Sequence, residues 1–192
     1  MEVVSSRFVQ ADDPWGCIRI HSHSVNRFID EFKAAVESVP DGDYYPSCFI
    51  HETNAYTLPK GAEDVVVKKE ITPIGLVFLQ GDLEKTKEFL KEYGNKYFLV
   101  KDRTTGATAR IPARQMNLFK KVLEVEPERI TCLDNPISSF RSRKRIRILS
   151  GILKGQTGYL VRYRRDRKLV VGLAGLTIAY GGIHNDTFEF LE

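Results

Sequence analysis

The segment from Arg145 to Leu173 constrains the fold more than any other part of the chain. Ile146 and Ile148 alternate with charged or polar neighbours, as the residues of a half-buried strand do. Glycines, which permit positive φ and close backbone approach, follow at positions 151, 155 and 158. Aromatic and β-branched residues then resume at 159–163. The pattern predicts a strand, a glycine turn and a second strand.

The same glycines argue against a nucleotide-binding loop. A dinucleotide loop needs the spacing G-x-G-x-x-G followed by a helix, whereas the run Gly151-x3-Gly155-x2-Gly158 leads into strand-forming residues. Residues 164–167 then supply a polar turn, and residues 168–173 return to valine and leucine. The segment therefore predicts a small antiparallel β-structure.

Composition indicates an ordinary soluble globular protein. Of the 192 residues, 42% are hydrophobic and 28% are charged, which is typical of that class. No run has the apolar length that spans a bilayer, and residues 1–14 lack the apolar core of a secretory signal. The cysteines, at 17, 48 and 132, form no C-x-x-C pair. We expect a reduced, cytoplasmic protein with no structural metal, no cofactor and no membrane segment.

Charge is distributed unevenly along the chain. Residues 141–192 hold 11 Lys/Arg and 4 Asp/Glu, a net charge of +7, whereas residues 1–140 hold 18 Lys/Arg and 21 Asp/Glu, a net charge of −3. A basic C-terminal segment suits nucleic acid or an acidic protein face. A solvated surface without any partner explains the same charge equally well.

Hydrophobic periodicity predicts a mixed order of helices and strands. Helices with one apolar face are expected at 25–39, 83–94 and 113–124. Ser22 or Ser24 is the expected N-cap of the first helix, and Asp82 that of the second. Strands are expected at 15–20, 44–50, 74–79, 97–100 and 108–111, and residues 65–69 are expected to lead into the third of them.

The order of these elements divides the chain into two domains. Residues 1–126 predict an α/β sandwich with an antiparallel sheet, and residues 143–192 predict a small all-β barrel. Between them, residues 127–142 contain prolines and serines without periodicity, which predicts a linker with a short extended piece at 130–133. The expected fold class is α+β.

Five stretches of the chain resemble one known family. They are the tryptophan strand and first helix at 15–32, the aromatic-proline strand at 44–46, the apolar strand at 72–79, the I-P-x-x-x-M-x-x-F pattern at 111–119, and the glycine-punctuated strands at 145–175. The last stretch resembles a KOW motif. Together they resemble the NusG family of transcription elongation factors over nearly the whole chain. The pattern at 111–119 is similar to that of specialised paralogs, the UpxY-type antiterminators and RfaH-like factors. The resemblance implies an NGN domain followed by a KOW domain.

The resemblance also implies a function in transcription. In this family the NGN domain docks an apolar patch on the clamp helices of RNA polymerase and suppresses pausing or termination, and the specialised paralogs do so at particular operons. Alternation along a strand puts Ile74, Leu76 and Phe78 on one face. These residues and Trp15 are the ones expected to bind polymerase. The alternative is that the domain's own helices bury both faces of the strand.

Two groups of cations are expected to contact nucleic acid. By family position, the first group faces the non-template DNA strand or the polymerase and consists of Arg19, His21 and Arg27. The second group surrounds the predicted C-terminal turn and consists of Arg162, Arg164, Arg165 and Arg167. Such cations bind phosphates of DNA or nascent RNA with salt-dependent affinity that depends little on sequence. No metal is expected at His21-Ser22-His23, since no nearby cluster of Cys, Asp or Glu completes a site.

The sequence does not determine which partner the C-terminal domain binds. In relatives the KOW domain binds a small-subunit ribosomal protein or the termination factor Rho. In RfaH-like members it can refold as a helical hairpin, but Gly172 and Gly175 interrupt any helix here and favour the β state. The alternative function is a ribosome- or RNA-binding module. We do not expect an enzyme, because no Ser-His-Asp, Cys-His or paired-carboxylate arrangement is predicted to come together.

Overall fold

The computed structural model describes residues 1–57, 66–71, 74–94, 96–102, 105–133, 137–140, 144–163, 165–173 and 176–192. The chain divides into two compact units, Met1–Ala113 and Arg114–Glu192. The sequence places its boundary after residue 126 instead. The two divisions differ in the assignment of helix α3 (Ala113–Val125).

The described strands of the first unit form two antiparallel sheets. They are β1 (Glu2–Val4), β2 (Trp15–His21), β3 (Ser47–Ile50), β4 (Glu52–Thr57), β5 (Val66–Ile71) and β6 (Ile74–Gln80). The larger sheet has the order β1-β3-β6-β2, and β4 pairs with β5 in a separate hairpin. Because β6 has a partner on each side, its apolar residues 75–79 can be buried on both faces, and all of them are.

Two helices cover one face of the larger sheet. They are α1 (Val25–Ser38) and α2 (Leu83–Gly94), and they contact each other. The ring centroids of Phe28 and Phe32 are 5.5 Å apart, and those of Phe32 and Phe89 are 5.6 Å apart. Val77 and Leu79 of β6 belong to the same buried cluster. This cluster is the main core of the first unit.

The predicted caps of these helices have different outcomes. Asp82 caps α2 as expected, because its Oδ1 accepts from the backbone N–H groups of Glu84 at 2.9 Å and Lys85 at 3.1 Å. The N-cap of α1 is Ser24, but no side-chain hydrogen bond forms there. A short 3₁₀ turn at Ser22–Ser24 precedes the helix. Ser24 therefore has a helical backbone (φ −97°, ψ −4°) rather than the extended one from which a hydroxyl reaches the first turn.

The second unit contains α3, except for its first residue, and one antiparallel sheet. The described strands are β7 (Ile130–Leu133), β8 (Lys144–Ile148), β9 (Thr157–Tyr163), β10 (Asp166–Leu173), β11 (Leu176–Tyr180) and β12 (Phe188–Phe190). Their order in the sheet is β12-β8-β9-β10-β11-β7. Ile146, Leu169 and Ile178 are fully buried on three of these strands. In RfaH-like relatives the corresponding segment can form a helical hairpin. In this structure it forms the strands β9 and β10.

The α+β fold class is confirmed, and individual elements depart from the expectation. The extended piece at 130–133 is a full edge strand, which pairs with β11. The segments at 97–100 and 108–111 form no continuous strands, because their backbone hydrogen bonds are isolated, such as Val100 N–H to Cys17 O at 2.7 Å. β1, β4, β11 and β12 were not predicted from the sequence.

Candidate binding surfaces

The strand expected to dock polymerase lies in the interior of the protein. Leu76 and Phe78 are 1% and 0% exposed, and Trp15 is 3% exposed. The rings of Phe78 and Phe49 have centroids 6.2 Å apart. Ile74 belongs to β6 by its backbone, and its side chain lies outside the described residues.

Both faces of this strand are therefore buried in the conformation described, as in the alternative that the sequence left open, and polymerase binding by these residues stays a prediction. Val77 and Leu79 belong to the core cluster on one face of the sheet, and Leu76 and Phe78 are equally buried. Alternation correctly separates the two sets of side chains, but it does not tell whether a face is covered. A partner can contact Leu76, Phe78 or Trp15 only after that face has been uncovered.

The first group of predicted cations lies at the surface around the start of α1. Arg19, His21 and Arg27 are all exposed. Arg27 donates through Nε to Glu31 Oε1 at 2.9 Å. Lys96 and Tyr97 also donate to Glu31, and these hydrogen bonds lower the pKa of its carboxyl to about 2. The charge of Arg27 is thus partly offset by a neighbouring carboxylate that stays ionised at pH 7.

The rings of His21 and His23 are stacked on each other. Their ring centroids are 5.4 Å apart with an interplanar angle of 13°. Among the described residues, no group of three or more His, Cys, Asp or Glu side chains is arranged to hold a metal ion. None of the described helices combines the length and apolar character that a membrane span needs.

The second group of cations lies on the β9–β10 hairpin. Arg162 of β9 is directly opposite Arg167 of β10 in the antiparallel register, and both are exposed. Arg165, in the turn, has φ of +67° and is also exposed. Arg164 lies outside the described residues. Like charges directly opposite one another destabilise a sheet, so an anion bound between Arg162 and Arg167 would relieve a repulsion that the fold otherwise carries.

The three glycines of the predicted turn, two between β8 and β9 and one in β9, serve two different structural needs. Gly151 and Gly155 have φ of +70° and +84°, a conformation that is costly for residues with a Cβ atom. Gly158 has no such φ, but a Cβ atom there would lie 2.7 Å from the carbonyl oxygen of Val170 and 2.8 Å from Cγ1 of Val171. Two glycines thus form the turn, and the third allows β9 and β10 to approach closely.

Gly158→Ala and Gly172→Ala are expected to change stability in opposite directions. The first methyl group would press on the backbone of β10, and overpacking of this kind costs about 1–3 kcal/mol. The second, on exposed Gly172, would meet only Cδ1 of Ile137 at 3.5 Å, an ordinary contact. Loss of unfolded-state entropy should then stabilise Gly172→Ala by about 0.4–1 kcal/mol.

Amide hydrogen exchange of β8 to β11 in the two variants would measure these changes within the second unit. Equal effects of the two substitutions would contradict the close approach at Gly158.

Each unit also contains a pocket that sequence reasoning did not find. In the first unit a pocket of about 500 Å³ is lined by the aromatic residues Phe8, Tyr44 and Phe89, by Asp13, Asp43, Asp82, Glu88 and Glu92, and by Val39, Gly42 and Lys85. In the second unit a pocket of about 250 Å³ lies where the start of α3 meets β8 to β11. Both pockets form between residues that are far apart in sequence. The hydrophobic pattern of one strand or helix does not show which distant residues it will meet.

Comparisons with known proteins give a distant similarity to solved structures. No protein-family model matches the chain, and no curated protein matches it. A solved structure described as "Domain interaction in Thermotoga maritima NusG" aligns with 95% of this chain and 96% of its own, at 13% sequence identity and a TM-score of 0.36. That similarity is too low to carry an argument about partners or activity.

Proposed function

We propose that this chain is a non-enzymatic transcription elongation factor of the NusG type, which binds RNA polymerase through its first unit and suppresses pausing or termination. The observation that carries the proposal is the glycine turn of the second unit. The three glycines that resemble a KOW motif are the ones whose positive φ or close backbone approach the β8–β9 connection requires. They follow an α+β unit whose second strand, β2, resembles the tryptophan strand of the same family.

The proposed polymerase contact uses the face of β6 that contains Ile74, Leu76 and Phe78, with Trp15 on the neighbouring strand. Side chains with almost no exposure make no contact with a partner. Docking therefore requires this face to be uncovered, and an amphipathic helix of the polymerase would then replace the apolar contacts that the chain makes itself. The free energy needed to uncover the face would make the free energy of binding less favourable by the same amount, and the affinity would be weaker.

The test is the binding of fluorescently labelled full-length chain to core RNA polymerase and to an assembled elongation complex. Phe78→Leu changes the proposed docking face, and Phe89→Leu is its matched control, because Phe89 is 4% exposed in the core cluster below the helices. We expect Phe78→Leu to weaken binding about fivefold or more, as truncation of an aromatic anchor does, and Phe89→Leu to change it less than about twofold.

The proposal fails if the folded full-length chain binds neither form of polymerase at low salt. Equal losses in the two variants would move the contact away from β6. If binding is found, the duration of transcriptional pauses on a defined template measures the proposed antipausing activity.

A second candidate function is a ribosome- or RNA-binding module, favoured by the opposed Arg162 and Arg167 on the β9–β10 hairpin. In this case Arg162→Gln should weaken binding of single-stranded RNA and reduce the salt slope by about one unit for each phosphate that the arginine neutralises. The control is Arg147→Gln, since Arg147 is already paired with Glu189 at 3.1 Å. RNA affinity that responds equally to both changes would reflect net charge alone.

A further inference from the structure

The pocket of the second unit has the composition of a site for an anionic, aromatic ligand. It is lined by Gln115, Leu118, Arg145, Gln156, Thr157, Gly158, Tyr159, Val170, Val171, Gly172, Leu173 and Tyr180. None of these lining residues is a carboxylate. The pocket of the first unit, in contrast, is lined by five carboxylates and one lysine. An anion therefore meets no like charge in the lining of the second-unit pocket.

The sheet register places Arg145 and Tyr159, which both line this pocket, on one face of the sheet. Tyr159 also packs against the buried cluster that contains Val161 and Val170. Arg145 of β8 is opposite Tyr159 of β9, which is opposite Val170 of β10. Residues directly opposite in an antiparallel pair extend from the same face of the sheet. Arg145 is exposed and Tyr159 is half-buried. Within the described part of the chain, Arg145 has no ion pair, unlike Arg147 two residues later.

A second guanidinium lies beside the glycine turn, next to a residue that lines the pocket. Nη2 of Arg114, in the first turn of α3, is 3.7 Å from the position that a Cβ atom would take on Gly155. Gln156, the next residue, lines the pocket together with Gln115. Arg114 is exposed, and no described residue forms an ion pair with it. One cation, Arg145, and two side-chain amides thus line the cavity, and a second cation lies beside the turn that leads to Gln156.

We propose that this pocket binds a nucleoside 5′-phosphate, either as a free nucleotide or as the terminal residue of a single strand. A guanidinium binds phosphate oxygens by charge-assisted, often bidentate hydrogen bonds. An aromatic ring provides a stacking surface for a base of any sequence. Glutamine amides carry both donors and acceptors, which the edges of bases require.

The size and lining of the pocket favour this ligand over an acidic peptide. A volume of about 250 Å³ is below the roughly 300–1,000 Å³ of sites for drug-sized ligands, so the cavity accommodates one base and leaves the phosphate at its mouth. The carboxylate of an acidic peptide would use the guanidinium groups alone. It would make no contact with the two amides or with the part of Tyr159 that is not packed against the buried cluster of Val161 and Val170. The site is independent of polymerase binding and lies on different residues from the Arg162–Arg167 pair.

Calorimetric titration of the full-length chain tests the proposal. The ligands are AMP, UMP, adenosine, inorganic phosphate, and one tetranucleotide with and without a 5′-phosphate. AMP and UMP should bind at least about tenfold tighter than either adenosine or inorganic phosphate, because only the nucleotides use the ring and the cations together. Tighter binding of the 5′-phosphorylated tetranucleotide than of AMP would assign the site to strand ends, and the reverse order would assign it to free nucleotides.

Two substitutions of the same type locate the site. Arg145→Gln should weaken AMP binding about tenfold, as loss of a charged hydrogen bond does. Arg147→Gln is the matched control on the same strand, because Arg147 does not line the pocket and is paired with Glu189, and it should change AMP binding less than about twofold. If Arg145→Gln lowers the melting temperature, Gln115→Ala on α3 takes its place, and a loss of about threefold or more is expected.

The proposal is overturned if the nucleotides bind no tighter than inorganic phosphate, or if both arginine variants lose affinity equally. Neither result would affect the polymerase test, which depends on Phe78 and Phe89.

Discussion

Phe78→Ala is expected to lower the free energy of unfolding of the first unit by about 3–5 kcal/mol, the usual cost of truncating a fully buried aromatic side chain. The side chain is 0% exposed, on the central strand of the larger sheet. It packs near the ring of Phe49 and stands opposite Cys17 in the register of β2 and β6. Truncation removes these contacts and leaves a cavity between strands that cannot close independently of their neighbours.

Urea unfolding monitored by tryptophan fluorescence measures this effect. The chain has a single tryptophan, Trp15, which is buried on the adjacent strand β2 and reports on the same sheet. Phe98→Ala is the control, because Phe98 is 74% exposed and its loss should change stability by no more than about 0.5 kcal/mol. If Phe78→Ala lowers the free energy of unfolding by less than about 1 kcal/mol, its effect would be close to that of the control. That result would contradict the burial of Phe78 and indicate that its side chain lies at the surface.

The sequence predicts best those features that depend on neighbouring residues. Asp82 could be recognised as a cap because its bonds go to backbone groups two and three residues away. The helical face of α1 is similarly visible in the spacing of Val25, Phe28 and Phe32. Gly151 and Gly155 could be assigned to a turn because strand patterns flank them. All of these depend on periods and end signals within one element.

The features that were missed depend on pairing at long range. β1 is three residues long and forms only through its partner β3, more than forty residues later. The exposure of Leu76 and Phe78 could not be inferred, because alternation assigns side chains to a face and does not say what covers it. The pocket around Arg145 and Tyr159 depends on the register between β8 and β9 and on α3 reaching the glycine turn. No local pattern encodes that combination.

Arg129 joins three parts of the second unit and should be the most costly polar side chain to remove there. Its Nη2 donates to Asp186 Oδ2 at 2.5 Å, its Nη1 to Glu126 Oε2 at 2.9 Å, and its Nε to the carbonyl oxygen of Gly181 at 2.9 Å. The side chains of Arg129 and Asp186 are only 11% and 5% exposed. These bonds connect the segment after α3 with the turn before β12.

Arg129→Met keeps much of the apolar stem but leaves the Asp186 carboxylate buried without its cation. Removing one partner of a buried ion pair costs about 3–5 kcal/mol, mostly because the remaining charge is uncompensated. The control is Arg147→Met. Arg147 pairs with Glu189, and the two side chains are 50% and 45% exposed. This surface ion pair should contribute no more than about 1 kcal/mol to stability. The comparison separates burial of an ion pair from its mere presence.

Amide hydrogen exchange in β8 to β11 measures both variants without requiring the whole chain to unfold in one step. The double variant Arg129→Met/Asp186→Asn should recover part of the loss, because it removes the orphaned charge. Since Asp186 also lies against the position of a Cβ atom on Gly151, loosening of the pair should speed exchange at the glycine turn as well. Equal losses in Arg129→Met and Arg147→Met would show that the Arg129 pair contributes no more than a surface ion pair does.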